Sequence, residues 1–137
     1  GLVALWQNPD QKRRLIGAIV RHTKVIGGRG FITENHTIVI IADPTKRQLL
    51  TLRMVCRLLN TAAVDGRFRR LSGSVSVSTK DLRDLPLPTA SDVRSFFKLK
   101  ERTDDEAASA AYAKSTTTKM ASNGQKVAKA LKPRKRP

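Results

Sequence analysis

Cysteine is nearly absent from this chain of 137 residues: Cys56 stands alone. No internal disulfide can therefore form, and a reducing cytoplasm is the expected compartment. That thiol and two histidines, His22 and His36, cannot make a zinc site of recognisable spacing. Aromatic residues are sparse at 4%, so a core must come from Leu, Ile and Val. No apolar run approaches the roughly 18 residues that a membrane span requires, and no charged, apolar and small-residue succession marks a secretory signal. Acids are scarce as well. Eleven Asp and Glu face 27 Lys and Arg, a formal charge of +16, and a field of that sign attracts polyanions such as nucleic acid.

The excess is spread along the chain: residues 1–100 hold 18 basic and 7 acidic residues, and residues 101–137 hold 9 and 4. A basic tail alone does not account for it. The length suits one ordinary domain, and composition divides the chain into a folded part, 1–100, and an alanine-rich helix with a basic tail, 101–137. Gly1 to Trp6 reads as a buried strand entered abruptly. Asn8, Pro9 and Gln11 predict a helix start, and Leu15, Ile16, Ile19 and Val20 fit one buried helical face. Gly27-Gly28-Arg29-Gly30 then turns the chain. A helix precedes this loop and a strand follows, the reverse of the order around a nucleotide-binding glycine loop. Phe31 to Ile41 predicts a strand with Glu34 and His36 on one face, a pair suited to structural hydrogen bonding. Lys46 to Asn60 predicts a helix with Leu49, Leu52, Val55, Cys56 and Leu59 as its apolar stripe, which makes Cys56 an inert buried thiol.

Residues 58–88 carry the densest set of signals. A short basic helix over Ala62 to Leu71 places Val64, Phe68 and Leu71 inward, leaving Arg67, Arg69 and Arg70 pointing elsewhere. From Ser72 to Ser78 serine alternates with valine, as in a strand with valines inward and serines outward. Ser78 or Thr79 caps a further turn or short helix, and Pro86 and Pro88 hold the segment after it extended. Guanidinium groups bind phosphate bidentately and read guanine edges in the major groove. Arg67, Arg69, Arg70, Ser74, Ser76 and Lys80 are accordingly the candidate DNA-facing residues, with Arg29 an outlying one. No catalytic, cofactor-binding or metal-binding set is indicated. The fold class is a mixed α/β (α+β) one: a small mixed sheet with packed helices, then a helical and partly disordered basic tail.

In the last third, Ser91 to Lys100 predicts a helix packed through Val93, Phe96 and Phe97. Thr103 and Glu106 fit a capping box that opens an alanine-rich helix to about Lys114. From Ser115 onward the composition reads as disordered. Lys126, Lys129, Lys132, Arg134, Lys135 and Arg136 would attract DNA without regard to sequence. Engaging about six phosphates would give a log–log salt slope of roughly −5.

The order Leu58-Leu59-Asn60-Thr61, Phe68-Arg69-Arg70-Leu71-Ser72-Gly73, Val75-Ser76-Val77-Ser78-Thr79-Lys80-Asp81-Leu82 and Leu85-Pro86-Leu87-Pro88 resembles the C-terminal target-recognition domain of N6-adenine DNA methyltransferases from restriction-modification systems. It is more distantly similar to type I specificity subunits. Upstream, Trp6 to Val20 resembles the strand and basic helix of those domains, and Thr33-Glu34-Asn35-His36 resembles their Glu-Asn-His strand, so the likeness spans roughly residues 2–100. The resemblance implies a small α/β domain that lies on double-stranded DNA and helps select the sequence methylated by a catalytic domain or subunit, where S-adenosylmethionine would bind. The chain has no Asn-Pro-Pro-Tyr or Asn-Pro-Pro-Phe tetrapeptide and no glycine-rich loop after a strand. With the abrupt start at Gly1, this makes a piece of a longer enzyme, or a subunit borrowing its catalytic partner, the expectation. From another class, a basic RNA- or ribosome-associated protein fits the charge. An enzyme in its own right would rest on Glu34, His36 and Cys56 alone.

Overall fold

Three short strands are followed by five helices in the computed structural model, which describes residues 2–6, 13–20, 37–71 and 77–130. Strand β1 (Leu2–Trp6) lies between β2 (Ile16–Val20) and β3 (Thr37–Ile41). Both pairings are antiparallel, with Leu2 opposite Val20 and Ile41, and Trp6 opposite Ile16 and Thr37. The helices are α1 (Leu52–Leu59), α2 (Ala62–Leu71), α3 (Thr79–Asp84), α4 (Ala90–Phe97) and α5 (Asp104–Ala130). Helix α1 packs on β2 and β1 and also meets α2, α4 and α5; α5 lies along α4 and α2. Sheet and helices thus share one core, as expected for an α+β fold. Among the described strands there is no parallel pair of the kind a mixed sheet would add.

The core is aliphatic with two phenylalanines: Leu15, Leu58, Val64, Phe68, Val93 and Phe97 are each at most 3% exposed. Ala107, Ala108 and Tyr112 from α5 join the same cluster, so packing runs on past residue 100 into the alanine-rich helix. Alanine suits this place, because small side chains let α5 approach α4 and α2 closely while favouring helix.

Local chemistry sets the ends of the helices. Thr51 accepts from the Met54 N–H at 3.2 Å and starts α1. Ser78 and Asp81 form a reciprocal capping box on α3, and Thr103 and Glu106 form the one foreseen on α5. Thr89 caps α4 through the Asp92 N–H. The Thr89 and Ser115 hydroxyls donate to Asp92 Oδ2 at 2.7 and 2.8 Å, with Lys114 at 3.4 Å from the other oxygen. This almost fully buried carboxylate ties α4 to α5.

Several expectations are corrected. Ile16–Val20 is a strand, not the second half of a helix, because its apolar residues fit the pleat as well as the helical period and β1 offers a partner ladder. Asn8 to Lys12 lie outside the described residues. Helix α1 begins at Leu52 rather than Lys46, since the Lys46 N–H closes a turn on the Asp43 carbonyl and Thr51 is the cap. This leaves Leu49 outside the helix and 62% exposed. Leu71, expected inward, is 45% exposed, and Leu87 is 43% exposed. Helix α5 continues to Ala130, well past Lys114, in a stretch with no proline to stop it; 131–137 lie outside the described residues. So do 31–36, with Glu34 and His36, and 72–76, most of the serine/valine alternation. Val77 and Ser78 are not in a strand, and Ser78 serves as the α3 cap.

Two measurements check this packing. Phe68→Ala should cost about 3–5 kcal/mol in urea unfolding, whereas Leu87→Ala should stay under about 1 kcal/mol. The hydrogen bonds from Thr89 and Ser115 hold the Asp92 carboxyl below its ordinary value of 3.8. A depressed folded-state pKa contributes stability that is present above 3.8 and lost as pH falls through the folded value. Stability should therefore be flat from pH 7 to about 5 and drop below 3.8. Asp92→Asn should be less stable at pH 7 with a shallower acid limb, as thermal melts across pH would record.

Candidate nucleic-acid interface

Helix α2 carries the candidate arginines, and its placement is fixed by the two residues before it. Asn60 Oδ1 accepts from the Gly17 N–H at 2.8 Å while its Nδ2 donates to the Gly17 carbonyl at 2.8 Å. The side-chain amide thus imitates a strand partner at the flank of β2. The Cys56 thiol donates to the same carbonyl at 3.3 Å, and burial pushes its pKa up, so it is a packed donor and not a nucleophile. Thr61 is 1% exposed; its hydroxyl donates to the Leu58 carbonyl at 2.7 Å and accepts from the Val64 N–H at 3.4 Å.

The first turn of α2 is held from α5. Asp105 accepts from the Ala62 N–H at 2.6 Å and from Arg13 at 3.1 Å, and Arg13 also donates to the Asn60 carbonyl. One turn on, Asp65, 6% exposed, accepts from the Arg14 N–H at 2.7 Å and from Arg69 Nε at 2.7 Å. Arg67 lies over the Tyr112 ring, 3.4 Å from its centroid, and donates to the Ala63 carbonyl at 3.3 Å. Burial pushes the Tyr112 hydroxyl pKa up, against a smaller lowering by Arg67.

The candidates therefore divide. Arg67 and Arg69 sit on α2 with internal partners. Arg70, in the last turn of α2, and Lys80, on α3, are exposed, and α3 packs against α2. Arg29, Ser74 and Ser76 lie outside the described residues. Arg83 is also exposed on α3, and sequence reasoning passed it over although it follows Lys80 at helical spacing. It also passed over Arg47, Arg94 and Lys98, of which only the Arg94–Lys98 spacing is visible without a fold.

Carboxylates explain why cations remain at the surface. Of nine Asp and Glu among the described residues, seven have internal partners. Asp81, Asp92 and Glu106 receive donors at helix starts, Asp43 holds Thr45 and Lys46, and Asp65 and Asp105 hold α2. Asp104 grips Arg57 at 2.6 and 3.0 Å, which raises the Arg57 pKa mainly through that hydrogen bond. Among the described residues, Asp84 and Glu101 alone have no such partner. Among the described residues no group of three His, Cys, Asp or Glu could hold a metal ion, and no helix is long and apolar enough to cross a membrane. Comparisons with protein-family models, with curated proteins and with solved structures find no match for this chain.

Structural and surface arginines should respond differently to truncation. Arg57→Ala should cost about 1–2 kcal/mol, because it removes together the partly solvated pair with Asp104, the hydrogen bond to the Phe97 carbonyl and the contact over the Phe97 ring. Arg70→Ala should stay within about 0.5 kcal/mol. A Cβ added at Gly66 would meet nothing nearer than Arg70 Nη1 at 3.9 Å, so Gly66→Ala should stabilise α2 by about 0.5–1 kcal/mol. Urea titrations of the three variants give the comparison.

Proposed function

We propose that this chain is the DNA-contacting target-recognition part of an adenine-specific DNA methyltransferase of a restriction-modification system, acting in the cytoplasm. A separate catalytic domain or subunit would bind S-adenosylmethionine and transfer the methyl group. The observation that carries this reading is the distribution of charge. Most carboxylates are drawn into caps and docking contacts, while Arg70, Lys80 and Arg83 stay exposed on two touching helices, with Asp81 and Asp84 of α3 the acids beside them and a formal charge of +16 over the whole chain. The motif succession from Leu58 to Pro88 supports the same reading and supplies its particular enzyme class.

Phosphate contacts position a protein on the duplex, and base contacts specify the sequence. Helix α2 is tied at its first turn to α5 and at its middle to the segment before β2, so Arg70 leaves a fixed platform. The basic residues at the C-terminal end add attraction that does not depend on sequence.

The experiment is fluorescence anisotropy of the full chain with a labelled duplex between 50 and 200 mM salt (about the range in which phosphate contacts are felt most). Binding should weaken with a log–log slope of roughly −5. Unlabelled duplex should compete better than polyglutamate at equal charge and no worse than structured RNA at equal phosphate. Equal competition by polyglutamate would defeat the reading, and stronger competition by RNA would favour an RNA-associated protein. Methyl transfer from S-adenosylmethionine by the chain alone would also overturn it.

A further inference from the structure

We propose that the groove between the β3–α1 connection and α4 is a second DNA-contacting site, which seats the sugar–phosphate backbone apart from the cations of α2 and α3. The inference rests on the DNA-binding reading and extends it to residues outside the motif succession. The groove has a volume of about 700 Å³, and its walls include Arg47, Leu49, Leu50, Met54, Arg94 and Lys98. No carboxylate is among its lining residues. The nearest acid in the segment leading into it, Asp43, is already held by Thr45 and Lys46.

Three cations converge there from two segments. Arg94, in the last turn of α4, and Lys98, its C-cap in αR conformation, are four residues apart, which places them on one side of the helix end, where like charges repel. Arg47 comes from the connection before α1 and, like Lys98, is exposed. Arg94 donates to the Leu49 carbonyl, so its charge is fixed at the groove by a neutral acceptor and is not cancelled. A bound anion would relieve this concentration of positive charge.

The chemistry favours a phosphodiester over an acidic peptide. A peptide brings backbone N–H donors that need acceptors, and among the lining side chains only Gln48 offers one, the Thr51 hydroxyl already accepting from the Met54 N–H and the Leu49 carbonyl from Arg94. A phosphodiester offers acceptors only, which suits a wall of guanidinium and ammonium donors. The aliphatic side chains of Leu49, Leu50 and Met54 provide an apolar floor against which deoxyribose can rest.

The test compares Arg47→Ala/Lys98→Ala with Arg70→Ala/Lys80→Ala in the full chain, by duplex anisotropy across salt; Arg94 is left intact because it holds Leu49. The groove variant should bind several-fold more weakly and show a salt slope shallower by roughly 2, since each lost phosphate contact removes about 0.9. The charge-conserving Arg47→Lys/Lys98→Arg should restore both. Wild-type affinity and slope in the groove variant, with weakened binding in the α2–α3 variant, would overturn the groove alone and leave the DNA reading standing. A groove variant that loses polyglutamate binding but keeps duplex binding would make the groove a peptide site and overturn the inference. Failure of the wild-type chain to prefer duplex would remove both.

Discussion

The reciprocal amide contact between Asn60 and Gly17 is the constraint on which the rest of the arrangement depends. Its two hydrogen bonds, both at 2.8 Å, let one side chain continue the backbone pairing of the sheet into the helical layer. Asn60 also closes α1, its own N–H donating to the Cys56 carbonyl at 3.2 Å. With Thr61 directly after it, the position of the sheet fixes where α1 stops and where α2 starts. An amide is suited to this because it donates and accepts at once; an aliphatic residue would leave the partly buried Gly17 N–H without this partner and its carbonyl with the Cys56 thiol alone, and a peptide group left unpaired away from water is costly.

From that junction the electrostatics follow. Ion pairs as exposed as Arg13–Asp105 and Arg57–Asp104 contribute little each, so their effect is mainly orientation: α5 is set against α2 and α1 by Asp104 and Asp105. Asp65 differs, since its side chain is only 9% exposed and depends on Arg14 and Arg69 to offset its desolvation. The same placement of acids that secures the helices leaves the outer surface cationic. Fold stability and the proposed attraction of a polyanion would thus be two results of one charge distribution.

Much of this was legible in the sequence. The range of α2, Ala62 to Leu71, was readable in advance, and the Thr103–Glu106 box followed from its spacing. Where reading failed, the missing information was non-local. Leu15, Ile16, Ile19 and Val20 satisfy a helical period, and only the neighbouring β1 makes Ile16–Val20 a strand. Three arginines in four residues look like one basic surface, yet Tyr112, far along the chain, takes one of them, while the Asp65 that takes another lies at ordinary helical spacing. The groove of Arg47, Arg94 and Lys98 was invisible for the same reason, because its two walls are separated by the whole α1–α2–α3 succession.

What the fold adds to a basic composition is pre-organisation. A charged side chain on a loosely held segment attracts phosphate but loses its ordering entropy on contact, whereas one on a helix already docked at several points loses less. Helix α2 is docked by Asp105 at its first turn, by Asp65 toward β2 and by Arg67 on Tyr112, so the direction in which Arg70 projects is set before any ligand arrives. Two of the three clustered arginines are therefore best understood as holding the third. On the proposed reading, a surface of this kind would distinguish one placement on a duplex from another, which a positively charged chain with no such fixed platform would not do.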